Sequence, residues 1–156
     1  MSINTLNVYA VQNVIFLILT AIRLLVLAAL TGFARVKTKQ FHAPEDNRNG
    51  GEASSFGGAE GSGGMTLPDR VMRAHYNAIE NDLVWFLSYS ALGASGANVW
   101  LIIVCNTVYT VCRIGHVVCY LKAIQPFRAL CFLGGVLTCA FMMLYAFVQV
   151  FFTYVF

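Results

Sequence analysis

The chain has 156 residues, 58% of them hydrophobic and 11% charged, with a formal net charge of +3. A soluble domain carries roughly a quarter charged residues, so this composition excludes an ordinary water-soluble fold and points to a single-domain membrane protein. Neither a nucleotide-binding P-loop motif nor a nucleic-acid module accompanies the basic residues, which argues against nucleotide and nucleic-acid partners.

The first apolar segment covers 6–34 and is interrupted only by Arg23. No Lys or Arg precedes it and no small-residue cleavage site follows, so it reads as a retained membrane span rather than a signal peptide. Arg23 lies at about the helical depth of Glu80 and Asp82 and reads as the ion-pair partner of one of them. A connection over 36–67 follows, Gly/Ser-rich from 47 to 64 and containing His42, which reads as an exposed loop residue. Pro68 stands where proline favours a helix start.

The second segment, 69–92, is polar in its first half and apolar in its second. Helical spacing aligns Arg70, Arg73, Asn77 and Glu80 on one face. Gly93 to Gly96 form an uncharged turn. The third segment, 97–121, carries its own stripe, Tyr109, Arg113, His116 and Tyr120. Gln125-Pro126 breaks the chain before the fourth segment, 127–155. Each segment meets the roughly 20 residues a helix needs to cross a bilayer. The fold class is therefore all-α, a bundle of four transmembrane helices, in one domain over residues 1–156.

Five cysteines, Cys105, Cys112, Cys119, Cys131 and Cys139, lie in the apolar segments without a CxxC pair. They read as buried thiols rather than a disulfide framework or a metal site. The heptad spacing of the first three suggests helix packing. Basic residues flank the 36–67 and 122–127 connections, while the N-terminus, the Gly93–Gly96 turn and the C-terminus carry none. The positive-inside rule places those two connections in the cytosol and both termini on the other side, with Trp100 and Tyr154 near the outer interface.

Charges in hydrocarbon are costly and mark functional sites by default. The two stripes start from the same side and reach similar depth, about 16 Å for Glu80 from Asp69 and about 13 Å for Arg113 from Lys122. They point to a polar site between helices. Arg and His donors suit carboxylates, and Glu80 with Asn77 suits an amine or amide. A small zwitterionic, peptide-like ligand from the cytosol fits the set, with an apolar second substrate entering from the lipid. Tyr109 reads instead as an interhelical hydrogen bond. For His75 a helix–helix hydrogen bond is as good a reading as a ligand contact; for Arg128 a cytosolic anchor at the membrane boundary is the lesser of the two readings.

Several blocks carry a family resemblance: Gly32-Phe33-Ala34-Arg35, then Phe41-His42-Ala43-Pro44-Glu45-Asp46, then Asp69 through Asn81 with its R-A-H-x-N-x-x-E-N pattern, then Arg113-Ile114-Gly115-His116, Tyr120 and Pro126-Phe127-Arg128-Ala129-Leu130. Over nearly its whole length the chain resembles the membrane-associated proteins in eicosanoid and glutathione metabolism, the MAPEG family, and within it the microsomal glutathione transferase branch. The resemblance implies a homotrimer in the endoplasmic reticulum, with the outer mitochondrial membrane as an alternative, binding glutathione between protomers and using no metal. It implies Arg35, Arg73, His75, Asn77, Glu80, Arg113, His116, Tyr120 and Arg128 as glutathione contacts. Arg128 and Tyr120 would be the catalytic pair that holds the glutathione thiolate for attack on a hydrophobic electrophile or a lipid hydroperoxide.

The chain departs from the family at Met72, where many relatives carry a polar residue, and at Asp82, an extra acid. Asn47 replaces a cysteine found in some relatives, and the 120–128 segment is a residue shorter. Two alternatives stand beside the transferase and peroxidase reading: a prostaglandin E synthase-type isomerase, disfavoured by Tyr76 and Ala129, and a non-catalytic scaffold of the same fold. A transporter or channel subunit is disfavoured by the uncharged outer halves of the segments.

Overall fold

In the computed structural model the backbone is described for residues 3–39 and 66–155, and side chains for 8–39 and 66–153. Four helices follow in order: α1 Ile3–Thr38, α2 Leu67–Ala94, α3 Val99–Leu121 and α4 Phe127–Val155. They match the expected segments to within a few residues. The α1 helix outruns its apolar stretch because Arg35 and Lys37 occupy its last turn, where positive charge offsets the carbonyl end of the helix. Most of the 36–67 connection, with Phe41, His42, Pro44, Asp46, Asn47 and the Gly/Ser-rich stretch, lies outside the described residues.

Among the described residues, three helical stretches, Val8–Thr38, Val99–Leu121 and Phe127–Thr153, are long and apolar enough to cross a membrane. The α2 helix is long enough but carries Asp69, Arg70, Arg73, Glu80 and Asp82. Packing explains how it is accommodated. The α2 helix touches each of the other three, whereas α1 and α4 touch α2 and α3 but not each other among the described residues. The α2 and α3 helices thus each touch all the others, and the apolar α1 and α4 helices flank them. Their outer faces present side chains such as Leu25 at 70% and Phe147 at 67% exposure, a surface suited to lipid rather than water.

One core lies toward the α2–α3 turn, built on Trp85, Tyr89, Leu92, Ile102, Cys105, Tyr109, Cys139 and Met142. A smaller one toward the opposite end joins Leu27, Ala74 and Ala78, with Leu24, Val117 and Tyr120 against it. On α4 the inward positions Gly135, Cys139, Met142 and Ala146 recur at helical spacing. The α3 and α4 helices approach closely through small residues. A Cβ on Gly134 would lie 2.8 Å from Cys112 Sγ, and one on Gly115 would lie 2.9 Å from Cys131 Sγ. Cys112 and Cys131 therefore fill glycine notches, for Cys112 the packing role suggested by its spacing.

The helix ends follow local chemistry. Pro68 enters the first turn of α2, where its missing N–H costs nothing, and Thr66 Oγ1 donates to Asp69 Oδ2 at 2.6 Å. Asn98 accepts the Trp100 N–H at 2.9 Å and caps α3. At the other end of α3, the Ala123 N–H reaches Tyr120 O at 3.2 Å and the Ile124 N–H reaches Cys119 O at 2.9 Å. This pair of bonds is the Schellman closure, which needs a left-handed residue between them. Ala123 supplies it at φ 56, and Pro126 then begins the approach to α4.

Candidate active site

The two stripes meet. Arg113 on α3 donates to Asn81 Oδ1 at 2.6 Å and to Asn77 Oδ1 at 3.3 Å on α2. Its guanidinium also lies 5.4 Å from the ring centres of both Tyr109 and Phe132. Arg113 is 1% exposed. Charge buried this deeply persists only when paired or hydrogen-bonded.

A separate buried ion pair lies deeper in the bundle. Arg23 on α1 pairs with Asp82 on α2, and the Tyr109 hydroxyl donates to the same carboxylate oxygen at 2.9 Å. Of the two candidate partners for Arg23, Asp82 rather than Glu80 is the one engaged, and Tyr109 makes the interhelical bond expected of it. The extra acid at position 82 thus has a structural role joining three helices. Further toward the α2–α3 turn, Trp85 Nε1 donates to Asn106 Oδ1 at 2.9 Å, and Asn106 Nδ2 reaches Gln12 Oε1 at 3.3 Å. This second polar tie, again across α1, α2 and α3, has no counterpart among the stripe residues. Its sequence signal was the Gln12-Asn13 pair and Asn106 in apolar runs.

A cavity of about 520 Å³ opens at the site end of α2, lined by Asp69, Met72, Arg73, Tyr76, Asn77, Glu80 and Tyr120. Three of its lining residues sit on the polar stripe of α2, at the spacing that puts Arg73, Asn77 and Glu80 on one helix face. Tyr120 enters from the last turn of α3. Arg128, in the first turn of α4, stacks on the Tyr120 ring with its guanidinium carbon 4.8 Å from the centroid, a cation–π contact. The Schellman closure between them produces this juxtaposition by returning the chain within a few residues.

Of the expected site residues, Arg73, Asn77, Glu80 and Tyr120 line the cavity, and Arg128 borders it through Tyr120. Arg35 comes close from α1, with its Nη2 3.4 Å from Met72 Sδ. His116 is buried and touches the Tyr120 and Phe132 rings at 5.6 and 6.0 Å. Neither it nor Arg113 is a lining residue. His75 is half-buried and also outside the lining. Asp69 and Tyr76 line the cavity without having been singled out as contacts. Both lie on the polar half of α2, one helical turn or less from stripe members.

The arrangement offers opposite charges within one helix face. Arg73 is matched by Glu80 and Asp69, so the cavity can accept a ligand carrying both a carboxylate and an ammonium. No cluster of three metal-ligating side chains exists among the described residues.

Comparison with known proteins places these features in a family. The MAPEG family model matches residues 13–148. Microsomal glutathione S-transferase 1 of Rattus norvegicus is 32% identical over 119 residues, 72% of each chain. The protein of that name from Sus scrofa is 34% identical over the same share. Prostaglandin E synthase of Homo sapiens is 32% identical over 130 residues, 81% of this chain and 80% of that protein.

Proposed function

The chain belongs to the MAPEG family, and on that premise we propose that it is a membrane glutathione transferase with peroxidase activity, working as a homotrimer. Membership, together with relatives named as a glutathione transferase and a prostaglandin synthase, makes it a glutathione-dependent membrane enzyme in broad terms. The observation that carries the finer reading is the cavity on α2, where Arg73 and Asn77 stand beside Glu80 and Asp69, with Tyr120 under Arg128 at one side. Glutathione is a zwitterionic peptide with two carboxylates and one ammonium, and this lining matches that charge pattern.

Glutathione supplies the nucleophile. The thiolate, not the thiol, attacks, and a cation beside the sulfur lowers the thiol's pKa. Arg128 is the cation assigned here, and its contact with Tyr120 fixes both. The Tyr120 hydroxyl donates a hydrogen bond to the thiolate. The thiolate then attacks an electrophile dissolved in the bilayer and displaces its leaving group, or attacks the outer oxygen of a lipid hydroperoxide, breaking the O–O bond to release the lipid alcohol and a glutathione sulfenic acid that a second glutathione converts to the disulfide and water. Arg73 and Arg35 hold carboxylates, and Glu80 takes the ammonium. Arg113, His116 and His75 support the site from behind or beside the lining.

Arg73, Tyr76 and Glu80 are exposed in the single chain although α2 lies among apolar helices. A polar face at that position is stabilised when a neighbouring protomer covers it, which supports a site shared between subunits. The basic connections suggest that this end lies on the cytosolic face of the endoplasmic reticulum membrane.

The test is conjugation of glutathione to a chlorinated nitroaromatic by detergent-purified protein. Turnover should fall by about a hundredfold in Arg128→Ala, the scale of losing one group aimed at developing charge, even at saturating glutathione. The rise of rate with pH should also move toward that of free glutathione in the variant. An unchanged maximal rate would remove Arg128 from this role. A second reading, a glutathione-dependent prostaglandin isomerase, is favoured by the longer coverage of the human synthase. Native protein that binds glutathione and isomerises an endoperoxide, but conjugates no aromatic acceptor, would establish it.

A further inference from the structure

Arginine carries only hydrogen-bond donors. Any amide atom that meets the Arg113 guanidinium is therefore an oxygen. Asn77 and Asn81, one turn apart on α2, both turn their Oδ1 to Arg113. Asn81 is fixed a second time, because its Nδ2 donates to the Asn77 main-chain carbonyl at 2.8 Å. Arg113 itself has no freedom to turn away. It is held between the Tyr109 and Phe132 rings, and α4 lies against it so tightly that a Cβ on Gly135 would be 2.9 Å from Nη2 and 3.0 Å from Nε. A chain of contacts thus runs from α4 through α3 to α2 and ends at a residue lining the cavity.

We infer that Asn81 and Arg113 are positioning residues that lock the Asn77 amide with its NH2 available to the cavity, so that Asn77 recognises an oxygen acceptor of the ligand, a carboxylate or peptide carbonyl, and rejects an ammonium. The ammonium then belongs to Glu80 and Asp69. The cavity becomes polarised along α2, with Arg73 and Asn77 as donors and the two acids as acceptors. This inference rests on the glutathione reading and identifies what orients the amide that meets the ligand.

The experiment measures glutathione affinity by calorimetry, and steady-state KM and kcat, on native protein and three variants with matched thermal unfolding in detergent. Asn77→Asp keeps an oxygen toward Arg113 and replaces the donor with a second oxygen. Affinity should fall by about tenfold or more, the cost of losing one hydrogen bond to a charged group. An affinity equal to or tighter than native would overturn the donor assignment. Asn81→Ala leaves Arg113 short of a partner and releases the Asn77 amide; KM should rise several-fold with kcat nearly unchanged. Asn81→Asp keeps an acceptor for Arg113, although it loses the donor to the Asn77 carbonyl, and should bring KM back most of the way to native. If Asn81→Asp is as impaired as Asn81→Ala, the link through Arg113 fails while the glutathione reading stands. Native protein that binds no glutathione removes the glutathione reading and this inference together.

Discussion

Asp82 shows what one residue can do in this interior. Its carboxylate accepts from Arg23 and Tyr109, so α1, α2 and α3 converge on a single side chain. Removing one member of a buried pair leaves the other charge uncompensated, at a cost of about 3–5 kcal/mol. Asp82→Ala should therefore lower the thermal midpoint of the detergent-solubilised protein sharply. The double variant Arg23→Met, Asp82→Leu should recover much of that loss, because both charges leave together. A double variant as unstable as the single one would mean that the pair holds the helices by geometry rather than by charge balance. The sequence alone could place Arg23 at the depth of two acids but could not choose between them. Glu80 and Asp82 differ by two positions, which puts them on different faces of α2, and only the packing of α1 determines which face it meets.

At the scale of the element, the four helices were legible because hydropathy and punctuation agree: Pro68 at one start, Gly93–Gly96 at one turn, Pro126 before another start. Less legible was the glycine–cysteine interlock of α3 with α4. The spacing of Cys105, Cys112 and Cys119 hinted at packing, but nothing in it identified Gly134 as the notch for Cys112. The α3 closure also carries a feature that composition hides. Ala123 adopts φ 56, in the left-handed region where a Cβ costs about 1–2 kcal/mol and glycine is at ease. Ala123→Gly should raise stability by up to about 1 kcal/mol, measured as a higher thermal midpoint, and should leave glutathione affinity unchanged because the Tyr120–Arg128 contact stays in place. Gly134→Ala should act in the opposite direction, since the added methyl meets Cys112 Sγ at 2.8 Å; Gly134→Ala with Cys112→Ala should relieve it.

For the whole molecule, the central question of the sequence was how a charged helix fits among apolar ones. The answer is position: α2 touches the other three helices, and its deeper side chains Asn77, Asn81 and Asp82 find partners on α1 and α3. The candidate site was largely legible, because Arg73, Asn77, Glu80 and Tyr120 announce themselves by helical spacing. The division of labour was not. Arg113 and His116 have the same spacing credentials as Tyr120, yet burial places them behind the lining, and spacing carries no information about depth toward a neighbouring helix. An orientation test belongs at this scale. A cysteine introduced at Lys37 should react with a membrane-impermeant maleimide from the cytosolic side of sealed vesicles, and one at Gly96 only from the other side. The reverse pattern would invert the proposed topology and place the site across the membrane from cytosolic glutathione.

The two tryptophans occupy opposite settings. Trp85 is 1% exposed and stacks between Tyr89 and Tyr109, with ring centres 5.7 and 5.4 Å away, while Trp100 stands 67% exposed at the start of α3. The chain therefore carries its own pair of optical probes. Brominated lipid should quench the emission of Trp100 and leave that of Trp85 nearly untouched. Trp85 should take up excitation from its flanking tyrosines and report instead on the integrity of the interior. Two lamps in one molecule, one on the lipid and one on the core, would separate insertion into a bilayer from the assembly of the bundle without any label.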